Sequence, residues 1–173
     1  STLSASGPEN VAVIVNSRSK ASRRVAQAYA IARGIPDCNM IWLDQVPDAE
    51  RISVAEFREL ILGPLIATID ERGLSRQIDV VAYSADFPTA IDLTEDLKQI
   101  ENLPKVFTKV GSINGLTFLY QPVMAATPGY ISLDANWYAA MTTSAAIAMV
   151  PQGEFEAPWK EALLFAEAGR HAD

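Results

Sequence analysis

One cysteine, Cys38, and one histidine, His171, are all that 173 residues provide. That scarcity removes any intrachain disulfide, any Cys/His zinc site, and any Ser-His or Cys-His pair that does not use the histidine almost at the C-terminus. An excess of positive charge is missing too. The formal net charge is −7 and the pI near 4.7, so no global basic field exists to hold a phosphate backbone or an anionic membrane, and nucleic acid is not an expected partner. No apolar run approaches the roughly 20 residues needed to span a bilayer, and no membrane span is expected.

What is present can build a core. Hydrophobic residues make up 49% and charged residues 20%, which excludes disorder throughout, and the length suits one domain. Residues 1–9, STLSASGPE, are small and polar and lack the parts of a signal peptide. They read as a flexible lead or as what remains after processing, with residues 10–173 as a single domain.

Asn10 to Asn16 (NVAVIVN) is a run of β-branched residues suited to a strand buried on both faces. Val25, Ala28, Tyr29 and Ala32 recur at helical spacing, which predicts a helix with that face inward. Gly34 followed by Ile35-Pro36 ends it, because glycine tolerates the left-handed conformation and proline cannot continue the turn. Met40 to Leu43 predicts a second strand. In Ile52-Ser53-Val54-Ala55-Glu56-Phe57, Ser53 and Glu56 are spaced for a capping box and Ile52 and Phe57 for a hydrophobic staple. Gly63-Pro64 predicts a kink or break in the helix that follows. Ile78 to Tyr83 predicts the third strand. The order β-α-β-α-β implies an α/β fold: three layers around a mainly parallel sheet, of flavodoxin-like or caspase-like order.

Beyond that point, Thr94 is expected to cap a short helix through Ile100. Ser112 would open another helix, through Met124, that Pro122 distorts, and Pro158 would start a last one. Between Val110 and Gly153 Asp134 is the only formally charged side chain, so this neutral, mostly helical region is expected either to be buried or to contact a partner: another protein or a second copy, through residues about 110–150.

In an open parallel sheet, ligands bind beyond the carboxyl ends of the strands. That rule gathers Asn16, Ser17, Arg18, Ser19 and Ser22 from the first strand, Asp44 from the second, and Ser84 and Asp86 from the third. Lys20, Arg23 and Arg24 lie in the first turns of a helix, where cations oppose the helix dipole by a few tenths to about 1 kcal/mol each. An anion on the free amides would reverse that sign, with Arg18 as its planar, forked contact. The expected ligand is a small anion or a sugar. The plainer alternative is a serine N-cap with solvated arginines.

Ser84 and Asp86 are the candidate catalytic groups, but no histidine is near to activate Ser84. Asp86 could serve as a general base or, with Asp44, bind a hard cation such as Mg²⁺ or Ca²⁺; the plainer reading of such an aspartate is a helix cap. The glycines of a P-loop or dinucleotide fingerprint are missing, and no cofactor is expected. Gly111 to Gly115 reads as a tight turn with positive-φ glycines, Asp134 to Tyr138 as a sugar-like surface or an anchored loop, and Cys38 as an inert thiol.

VNSRS, VAQAYAIARGIPDCNMIWLD, ISVAEFRELILGP, IDVVAYSADFPTAI and GSINGLTFLYQ, in this order, resemble an uncharacterised family of bacterial proteins, mostly predicted to be exported. The resemblance spans about residues 10–138 and implies a periplasmic or extracellular location. It also implies a longer C-terminal part, so that Asp173 is a truncation, a processing point or the end of the ordered part. In arrangement the first half is similar to caspase-like peptidases such as legumains and gingipains. Their histidine after the third strand is replaced here by Tyr83-Ser84-Ala85-Asp86-Phe87, and no cysteine follows Cys38, which implies a fold without its protease machinery. The resulting expectation is a non-catalytic binding or interaction domain, with a hydrolase using Asp86, or a structural subunit, as alternatives.

Overall fold

The computed structural model of the chain describes residues 7–98, 100 and 108–131, and within them the first β-branched run becomes strand β1 (Val11–Asn16), buried at every residue. Helix α1 (Lys20–Arg33) ends at Gly34, whose φ of +68° is the expected left-handed stop; the Ile35 amide then closes on Ala30 O at 2.9 Å. Strand β2 is Met40–Leu43 and strand β3 is Arg51–Ser53. Residues 7–9, expected in a flexible lead, are held to the body. Pro8–Asn10 form a 3₁₀ turn, and the Glu9 carbonyl accepts from Asn39 Nδ2 and Gln77 Nε2.

Helix α2 (Val54–Phe57) starts with the expected capping box: Ser53 Oγ accepts from the Glu56 amide, and Glu56 Oε2 accepts from the Ser53 amide at 2.9 Å. The expected kink takes the form of one π turn over Arg58–Leu62, before α3 (Gly63–Glu71). Pro64 has no N–H and crowds the carbonyl four residues back, and the wider turn is how the chain continues. The Gly63 amide donates to Arg58 O, and a Cβ on Gly63 would lie 2.8 Å from that same oxygen.

Strand β4 is Val80–Tyr83, starting two residues later than the sequence suggests because the Ile78 amide is turned back onto Leu74 O at 3.0 Å. β1 lies between β2 and β4, parallel to both. Odd residues of β1 face α1 and even residues face the side of α2 and α3, so helices cover both faces. The class is α/β with a mostly parallel sheet, as expected. A second sheet is not foreshadowed: β3 pairs parallel with β5 (Ala90–Asp92), which pairs antiparallel with β6 (Val110–Ser112). Three-residue strands are too short to show periodicity, and their pairing is decided by distant residues.

Two local expectations are corrected and one between them holds. The N-cap of helix α4 (Thr94–Leu97) is Leu93, without a side-chain cap; Thr94 is already helical, and the Asp92 carboxylate accepts from its amide at 2.9 Å. As expected, Ser112 opens a helix that reaches Met124 and is distorted near Pro122: it divides into α5 (Ile113–Phe118) and α6 (Tyr120–Met124) at Leu119, next to the Phe118 carbonyl that the proline ring crowds. Gly111 has no positive φ; it makes room for Leu116, whose side chain would come within 3.2 Å of an added Cβ.

The inward face of α1 is also corrected. Ser22 and Ala26 are buried and Tyr29 half-buried, whereas Val25 is 51% exposed and Ala28 and Ala32 are exposed. As for the neutral stretch, its described part packs into the chain's own core through Ile113, Leu116, Phe118, Leu119, Val123, Tyr130 and Ile131. Asp134 to Tyr138, the helix expected from Pro158 and residues 132–150 of the expected partner surface lie outside the described residues. Among the described residues no helix is long and apolar enough to cross a membrane.

Candidate functional site

Three parallel strands deliver their carboxyl ends to one rim. Asn16 is in register with Leu43 of β2, and Ile14 with Tyr83 of β4, so the end of β1 is level with the residues just past β4. Asn16, Ser84 and Asp86, far apart in sequence, therefore meet. Asn16 Nδ2 donates to Asp86 O at 2.9 Å, and Asn16 Oδ1 accepts from the Arg18 amide at 3.1 Å. One buried side chain thus shapes both loops.

Two serines of the first turn complete the network. Ser19 is the N-cap of α1, accepting from the Ser22 amide at 2.9 Å and donating its own proton to the Asp86 carboxylate. Ser22 Oγ, fully buried, accepts from the Asn16 amide at 2.8 Å and contacts Ser84 Oγ. Ser84 spends its only proton on Ile14 O at 2.8 Å, so the proton between the two hydroxyls comes from Ser22. This arrangement rotates α1: buried donors at the strand ends need an acceptor, and Ser22 supplies it, leaving Val25 outside. It also bears on Ser84 as a nucleophile, because its proton rests on a backbone carbonyl, which is no general base.

Asp86 is one of two non-glycine residues with positive φ among the described residues, at 59°. Aspartate tolerates this conformation better than most residues, at a cost of about 1 kcal/mol or more, and the bonds from Asn16 and Ser19 hold it there. Asp44 takes a different serine, Ser17, so the two aspartates are engaged separately. Among the described residues no cluster of three or more His, Cys, Asp or Glu is placed to hold a metal ion.

The network borders a crevice of about 1360 Å³. One side is the β1–α1 junction, with Arg18, Ser19, Lys20 and Ala21; another is the loop Gln45 to Glu50; Glu56, Leu60, Asp86 and Phe87 complete it. Of the expected site residues, Asn16, Arg18, Ser19 and Asp86 line the crevice, Ser84 lies beneath them, and Ser17 and Asp44 stand apart from the lining. Arg23 donates to Ser17 O at 2.8 Å, whereas Arg18 and Lys20 have no side-chain partner among the described residues. The amides of Lys20 and Ala21, in the first turn, have no acceptor within the helix.

The sequence reading did not reach Asp48, Glu50, Glu56, Leu60 and Phe87. The Glu56 carboxyl is held below its ordinary range, first by the bond from the Ser53 amide and then by its hydroxyl. Below the rim, burial pushes the Tyr83 phenol well above its ordinary value while its hydroxyl meets Thr117 Oγ1 at 2.8 Å. No protein-family model, curated protein or solved structure matches this chain significantly.

Proposed function

We propose that this chain is a non-catalytic binding domain whose crevice at the strand ends accepts a small anionic or sugar ligand. The observation that carries this reading is the junction of β1 with α1: Asn16 fixes the Arg18 backbone, and the Arg18 guanidinium borders a 1360 Å³ crevice without a partner among the described residues. A guanidinium fork beside free first-turn amides suits a carboxylate, phosphate or sulfate, and the serine, asparagine and carboxylate groups around it suit hydroxyls. Thermal melting with phosphate, sulfate, citrate and neutral disaccharides tests it. At least one ligand should raise the melting temperature, and Arg18→Ala should lose most of that gain. If none shifts the transition, the binding reading fails.

A hydrolase using Asp86 has one observation in its favour, the left-handed backbone of a carboxylate at a strand end. It requires turnover that disappears in Asp86→Asn while the fold is kept. Export, contact with a protein partner or second copy through residues about 110–150, and descent from a caspase-like fold without its catalytic pair complete our reading, on the sequence patterns above. Cell fractionation of the native protein and its oligomeric state in solution test the first two.

A further inference from the structure

We infer that the ligand of the crevice is bipolar, carrying an anionic group at one end and a protonated amine at the other; this rests on the binding reading above. The charges that line the crevice are sorted by element. Its cations, Arg18 and Lys20, come from the β1–α1 junction, and its carboxylates, Asp48, Glu50, Glu56 and Asp86, come from other segments.

Carboxylates outnumber cations two to one in the lining, so a simple anion seated on Arg18 would enter a cavity of net negative charge. A neutral sugar would leave Arg18 and Lys20 unmatched. The two sets do not neutralise each other either. Arg18, Lys20, Asp48 and Glu50 border one cavity, yet none has a side-chain hydrogen bond or ion pair among the described residues. A ligand with both charges satisfies both sets at once, and one with a single charge is disfavoured by the other set. Val46, Leu60 and Phe87 add apolar lining, suited to a short hydrocarbon spacer.

The test is a calorimetric titration of the whole chain with glycine, γ-aminobutyrate and ε-aminocaproate, against hexanoate and hexylamine as partners of one charge, and against inorganic phosphate and a disaccharide. One of the amino acids should bind about tenfold or more tighter than both single-charge compounds, as expected when a second charge-assisted contact is added. Arg18→Ala should abolish its advantage over hexylamine. Asp48→Asn with Glu50→Gln, both at exposed positions, should abolish its advantage over hexanoate. If hexanoate or phosphate binds as tightly as every amino acid, the bipolar inference falls and the crevice remains an anion site. If only the disaccharide binds, the inference falls and a sugar site remains. If nothing in the set binds, both readings fall.

Discussion

The side-chain amide of Asn16 donates to the main-chain carbonyl of Asp86 at 2.9 Å, tying the end of β1 to the loop after β4. Asn16 is only 7% exposed and both of its side-chain bonds are partly buried, so water replaces them incompletely when the side chain is removed. Asn16→Ala should lower unfolding stability by about 1–3 kcal/mol and speed amide exchange in residues 84–87. Asn16→Asp keeps the acceptor for Arg18 but not the donor for Asp86. If denaturation finds that variant as stable as the parent, the bond to Asp86 is not what holds the loop.

Ser22 should behave as a structural hub. Ser22→Ala leaves the Asn16 amide without its acceptor inside a buried contact, a loss of about 1–3 kcal/mol in chemical denaturation. Arg18→Ala, at an exposed and unpartnered side chain, should change stability by less than about 0.5 kcal/mol. The contrast separates scaffold from site.

Gly63→Ala places a methyl 2.8 Å from the Arg58 carbonyl within the π turn. The backbone must shift to admit it, at a cost of about 1–3 kcal/mol. Parental stability in a urea titration would mean that the π turn relaxes freely to an α-helix.

Acid stability turns partly on Asp96, which is 4% exposed and receives Arg58 and Tyr130. Burial acts to raise its pKa, but the bonds from Arg58 and Tyr130, with the Arg58 charge, outweigh it and hold the carboxyl below the ordinary 3.8. Folding therefore favours the ionised form. The contribution is complete above the unfolded value and is lost as pH falls through the lowered native one. Asp92, held down to about 2 chiefly by Thr94 and also by Arg51, has the same sign. Stability should thus fall below about pH 4, and Asp96→Asn should reduce that slope without removing it. The same substitution should cost about 1–3 kcal/mol at neutral pH, because the partly buried Arg58 loses its countercharge while keeping the Val123 carbonyl as an acceptor. An unchanged slope in the variant would overturn this account.

Much of the candidate site was legible because strand ends follow from hydrophobic pattern. The β-branched run ending at Asn16 and the strand ending at Tyr83 placed Asn16, Ser84 and Asp86 at one rim on the assumption of parallel neighbours, and the register of β1 with β4 supplies that geometry. The crevice wall from Gln45 to Glu50 was not legible, because a loop without periodicity gives no sign of the direction in which it returns. The sorting of charge in the crevice was hidden for the same reason.

By itself the sequence determined the local elements: the β-branched strand, the Ser53–Glu56 capping box, the glycine stop at Gly34 and the disturbance at Gly63-Pro64. These depend on neighbours a few residues apart, within reach of a single side chain or turn. Only tertiary structure decided the pairing of β3, β5 and β6, the rotation of α1 onto Ser22 in place of Val25, and the meeting of Asn16 with Asp86. Each of these is set by groups distant in sequence whose buried hydrogen-bonding needs must be met together, and local propensity does not encode that requirement.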